Sequence, residues 1–140
     1  MMVSKRTSII VLVIVAVLAV TAGFYTPKLL NRGNDYGDVT VQEAKKLIED
    51  DPELVILDVR TDAEYNDGHI EGATNIPVEE LANRLTELDK NSELLVYCRT
   101  GNRSSTAVSI LDDAGFSKIY HMSEGISAWT QQGYPSPVGF

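Results

Sequence analysis

The run Leu94-Leu95-Val96-Tyr97-Cys98-Arg99-Thr100-Gly101-Asn102-Arg103-Ser104 changes character at its midpoint. Its first four residues are apolar without alternation, which suits a strand buried on both faces of a parallel sheet. The polar residues that follow lead into a segment where Ala107, Val108, Leu111 and Ala114 recur at helical spacing until Gly115. Strand, loop and helix therefore meet at Cys98.

The pattern repeats on either side. Upstream, Leu54-Val55-Ile56-Leu57 is a second continuous apolar run, ending at Asp58-Val59-Arg60. Thr40 with Glu43, and Thr61 with Glu64, have the spacing of a capping box. The first opens a helix with Val41, Ala44, Leu47 and Ile48 on one face; the second opens a short helix that Gly68 closes. Ala73 to Ile76 is a candidate short strand, and Val78, Leu81, Ala82, Leu85 and Leu88 predict one continuous helical face. Downstream, Ile119 to Met122 reads as a strand and Ile126 to Gln132 as a helix, with Trp129 at core spacing. Strands alternating with helices imply a three-layer α/β domain with a mainly parallel central sheet over residues 39–140.

The 140 residues, 44% hydrophobic and 23% charged, suffice for one such domain. Residues 1–38 carry four cations and two carboxylates, a charge of +2, which leaves -10 of the total -8 on residues 39–140. So acidic a domain repels phosphate backbones, and nucleic acid is excluded as a partner. Ahead of it, Lys5 and Arg6 precede an apolar run from Ile9 to Val20. Residues 1–26 therefore read as a signal peptide or a transmembrane anchor, a hydrophobic helix placing the domain outside the cytoplasm, with 27–38 as a polar linker. If uncleaved, that segment brings a membrane into contact.

Cys98 is the single cysteine. It has neither a disulfide partner nor a thiol or histidine cluster around it, so no metal site is expected. A lone cysteine at a strand end is commonly a small packed hydrophobe. Here Arg99 and Arg103 follow within five residues on a loop of an acidic domain, which points to anion chemistry. Beyond the carboxyl ends of parallel strands ligands gather, and Thr100, Gly101, Asn102 and Ser104 can curl backbone N–H groups toward one point at a helix start. Such donors favour thiolate over thiol. Asp58 and Arg60, at the neighbouring strand end, are expected to brace the site.

At this point the sequence resembles the single-domain rhodanese-like sulfurtransferases. The likeness rests on Leu57-Asp58-Val59-Arg60, Glu64-Tyr65, Gly68-His69-Ile70, Gly72-Ala73, Asn75-Ile76-Pro77, Val96-Tyr97-Cys98-Arg99, Gly101, Arg103-Ser104, Gly115-Phe116, Gly125-Ile126, Ala128-Trp129 and Gly133-Tyr134-Pro135. Glu71 and Glu124 depart from the family pattern, which bears on turn shape and not on the cysteine loop. The resemblance implies ping-pong sulfur transfer without a cofactor. Cys98 would take the outer sulfur of a small anion such as thiosulfate as a persulfide, then pass it to cyanide, a thiol or a protein acceptor. Arg99 and Arg103 would hold the anion, and Ser104 would cap the helix or donate to the sulfur. By the same resemblance His69 lies in a structural turn. His121, at a strand end, reads as satisfied by backbone.

Two other functions fit parts of the pattern. A cysteine-dependent phosphatase or arsenate reductase also sets a cysteine before an anion loop, but such loops generally place five residues between Cys and Arg, against four between Cys98 and Arg103. A non-catalytic binding or sulfide-sensing module of the same fold is the other alternative.

Overall fold

The computed structural model describes residues 36–138. Its strands are β1 (Gly37–Val39), β2 (Val55–Asp58), β3 (Thr74–Asn75), β4 (Leu94–Tyr97) and β5 (Ile119–Met122). They pair in parallel in the order β1-β5-β4-β2-β3. The central β4 is the continuous apolar run, and all four of its residues are fully buried, as a strand covered on both faces requires.

Successive side chains of β4 enter different cores. Leu95 and Tyr97 join Ile56, Tyr120 and Met122 beneath α1 (Val41–Asp50) and α5 (Gly125–Gln131). Leu94, Val96 and Cys98 join Leu57 and Val59 beneath α3 (Val78–Leu81) and α4 (Asn102–Asp113). Each fully buried Leu or Val stabilises by about 1.5–3 kcal/mol, so the two cores fix the register of β4 and with it the height of Cys98. The remaining helix, α2 (Asp62–Asp67), packs Tyr65 against the first core.

Both capping boxes form. Thr40 Oγ1 accepts from Glu43 N at 3.2 Å while Glu43 Oε2 accepts from Thr40 N at 2.8 Å; Thr61 and Glu64 repeat this at 3.3 and 3.1 Å. Two expectations change. The helical face from Val78 to Leu88 is interrupted: α3 ends at Leu81 and a 3-10 turn occupies Leu85–Glu87. Asn83 N and Arg84 N bond back three residues, to Glu80 O and Leu81 O, so the turn tightens where Asn is a poor helix former. Leu85 and Leu88 still reach the second core. Secondly, Gly37 and Asp38, which composition assigns to the linker, pair with Tyr120 and His121 in β1. An edge strand of three residues, two of them Gly and Asp, carries no apolar signal. The hydrophobic N-terminal helix, the signal or anchor at 1–26 and the linker up to residue 35 lie outside the described residues. Among the described residues, no helix is long and apolar enough to cross a membrane.

Candidate active site

Cys98 is the first residue beyond β4 and is 1% exposed. Its carbonyl accepts from Ile126 N at 2.9 Å, and that of Arg99 from Ser127 N at 3.1 Å. These bonds tie the cysteine loop to the first turn of α5. The approach is close enough to demand glycine at two places. A Cβ on Gly125 (φ +70°) would lie 2.2 Å from Arg99 O, and one on Gly101 (φ +103°) 2.2 Å from Ser123 O. Both obstacles are backbone and cannot swing aside.

The interlocked loop turns its donors inward. Gly101 N–H donates to Cys98 Sγ at 3.1 Å and the Ser104 hydroxyl lies 3.3 Å from it; the N–H groups of Thr100 and Ser104 also face the sulfur. Burial pushes the Cys98 thiol up, but the Ser104 hydroxyl and the three N–H groups outweigh it and hold the thiol below its ordinary value. The twelve-residue α4 starts here and adds the positive end of its dipole. The arrangement can generate a thiolate and stabilise a sulfur anion.

Other expected residues take different places. Arg99 and Thr100 are exposed on the loop, and Asn102 opens α4 exposed. Arg99 also lines a cleft of about 300 Å³ with Arg60, Glu64, Gly68, Ser127 and Thr130. Arg103 is engaged elsewhere: its Nη1 and Nη2 donate to Glu64 at 2.6 and 2.9 Å. That pairing holds the Glu64 carboxyl down at about 2, chiefly through the Arg103 hydrogen bonds. Of the two loop arginines, Arg99 is thus the exposed one at the rim, and Arg103 is held in an ion pair.

Asp58 and Arg60 form a buried brace. Arg60 Nε and Nη2 donate to Asp58 at 3.0 and 2.7 Å, Arg60 N donates to the same carboxylate at 2.9 Å, and Nη2 also reaches Gly68 O at 2.7 Å. Tyr97, hidden within the apolar run of β4, completes it. Its hydroxyl donates to Asp58 Oδ2 at 2.8 Å and accepts from Ile70 N at 3.1 Å. Burial, then the Asp58 charge, pushes the phenol up, so it stays a donor.

His69 sits in its turn, stacked on Tyr65 with Nδ1 2.8 Å from Tyr65 O. His121 departs from expectation. Its partners are side chains: Nε2 lies 2.7 Å from Ser104 Oγ and Nδ1 2.8 Å from Asp38 Oδ1. The available signal was positional, since a polar residue near the carboxyl end of a strand beside the cysteine strand belongs where ligands gather. In the sheet His121 is level with Val96, two residues short of Cys98.

Comparison with known proteins agrees with this fold. The Rhodanese-like domain family matches residues 40–132. The chain is 34% identical over 98 residues to a putative sulfurtransferase, YtwF, of Bacillus subtilis, covering 70% of this chain and 94% of that one. It is 34% identical over 93 residues to the putative sulfur carrier protein YrkF of the same organism, covering 66% of this chain but only half of the relative. Among solved structures, a rhodanese-related protein from Thermoplasma volcanium superposes with a TM-score of 0.68 at 31% identity, over 74% of this chain and all of that one. A family match over some two thirds of the chain, a parallel sheet and a donor-lined cysteine loop agree: the chain belongs to the rhodanese-like domain family.

Proposed function

We propose that this chain is a sulfurtransferase that carries sulfane sulfur as a persulfide on Cys98. The Cys98 thiolate attacks the outer sulfur of a donor such as thiosulfate; a new S–S bond forms, the donor's S–S bond breaks, and sulfite leaves with the electron pair. Cyanide or a thiolate then attacks the outer sulfur of the persulfide, and Cys98 departs as thiolate. No net redox change falls on the protein. The carrying observation is the ring of donors on Sγ, Gly101 N–H at 3.1 Å and Ser104 Oγ at 3.3 Å, which suits an anionic sulfur at both stages. Arg99, exposed at the rim, holds the anionic donor, and Thr100, Gly101 and Ser104 supply the cradle. Asp58 and Arg60 keep the neighbouring strand end in place.

The names of the relatives support sulfur handling in general; thiosulfate as donor, and cyanide, a thiol or a protein as acceptor, are this proposal's own. So is a setting outside the cytoplasm, which rests on Lys5 and Arg6 before the Ile9 to Val20 run. The test is the intact mass of the purified full chain before and after thiosulfate, with Cys98→Ser beside it. Expected is a gain of one sulfur atom that cyanide removes and the serine variant never acquires. Absence of any gain with thiosulfate, polysulfide and persulfide donors alike would overturn the proposal.

A further inference from the structure

The contacts around Ser104 contain more acceptors than the hydroxyl has protons. Ser104 Oγ lies 2.7 Å from His121 Nε2, 3.3 Å from Cys98 Sγ and 3.1 Å from Gly101 O. It carries one hydrogen. The state of the imidazole therefore decides where that hydrogen points. At the ring's other end, Nδ1 faces the Asp38 carboxylate at 2.8 Å. A carboxylate only accepts, so Nδ1 carries hydrogen and the neutral ring presents a lone pair at Nε2. The Ser104 hydroxyl then donates to Nε2, which leaves its oxygen open to accept from the Cys98 thiol.

We propose that His121 receives the Cys98 proton through the Ser104 hydroxyl, with Asp38 fixing the ring's tautomer and holding the imidazolium that results. Two bonds break and two form. The Cys98 S–H proton passes to Ser104 Oγ as the Ser104 O–H proton passes to Nε2, and nothing is oxidised or reduced. Each contact survives with its direction reversed: Nε2–H donates to Oγ, and the serine O–H donates to the thiolate. Burial keeps water from short-circuiting the line, since Ser104 is 0% and His121 8% exposed. Val96 of β4 is the register neighbour of His121, Arg103 of α4 is bound to Glu64, and Glu124 beyond β5 accepts from Val41 N. His121 is thus a positioning residue that acts on the sulfur through Ser104.

This inference rests on Cys98 as a nucleophile, not on the identity of the sulfur donor. It is tested by the rate of Cys98 alkylation with iodoacetamide as a function of pH, on the full chain. His121→Gln sets an amide where Nε2 stood, so Ser104 retains a polar neighbour that takes no proton. The expected result is an upward shift of the reactivity midpoint by about one pH unit, seen as a roughly tenfold slower reaction on the acid limb. Asp38→Asn, on an exposed edge, shifts it the same way by about half as much. A His121→Gln protein that melts like wild type and keeps the wild-type midpoint overturns the relay. Should that variant fail to fold, an unchanged midpoint in Asp38→Asn does so. Wild-type protein that alkylates at no pH overturns the relay and the nucleophile together, whereas normal alkylation without sulfur uptake sinks the sulfur-transfer reading alone.

Discussion

Two polar clusters flank the end of β4, one buried throughout and one running from the buried sulfur to an exposed carboxylate, and they are built on opposite principles. In the Asp58–Arg60–Tyr97 cluster opposite charges are matched: the carboxylate takes hydrogen bonds from Arg60 and Tyr97, and Arg60 Nη2 also donates to Gly68 O. In the Asp38–His121–Ser104–Cys98 line a single hydroxyl hydrogen faces three acceptors. The first can only hold, because any proton that moves leaves a buried charge unmatched. The second can rearrange at constant geometry, because either proton arrangement satisfies the same contacts. A shared surrounding sheet therefore supports one cluster that stiffens and one that switches.

The largest effect is expected at Asp58. Replacing it by Ala leaves the Arg60 guanidinium, 7% exposed, without its partner, and should cost about 3–5 kcal/mol in urea unfolding. A loss under about 1 kcal/mol would mean that the cluster is not the closed brace described. Ser104→Ala should invert the balance. Stability falls by only about 1 kcal/mol, while the alkylation midpoint of Cys98 rises at least as far as in His121→Gln. If the midpoint stays put, the hydroxyl is not on the proton's route. The smallest effect is expected at the rim, in Glu64→Gln. The folded pKa of Glu64 is depressed from 4.5 to about 2, so its contribution is present above pH 4.5 and is lost as the pH falls toward 2. The pair is about a third exposed, 32% and 27%, so screening limits it to about 1 kcal/mol. Urea midpoints of wild type and variant should therefore converge between pH 4.5 and 2; parallel curves would show that the pair contributes nothing.

What the sequence reveals and what it hides follow from the range of the forces involved. Buried strands, capping boxes and the cysteine loop are local patterns, each complete within a few neighbouring residues, and Asp58 with Arg60 is legible as a brace because the partners are two residues apart. Tyr97 is concealed by an apolar run in which its ring belongs. Arg103 points to Glu64, 39 residues away, through a contact made only once α2 and α4 are both in place. The relay is the extreme case. Asp38 and His121 are 83 residues apart, joined by the register of a three-residue strand whose composition is that of a linker.

That short strand also bears on how far the folded unit extends beyond the family match. The family match spans residues 40–132, yet Asp38 precedes it. Trp129 Nε1 donates to Pro135 O at 2.9 Å and His69 N to Pro137 O at 3.2 Å, beyond its other end. A fragment trimmed to the recognisable segment would retain Cys98, its loop and both glycines. It would also lack the carboxylate that orients His121 and the tail that closes over the indole. The matched segment and the set of residues that touch the site and the core therefore differ by a few residues at each end.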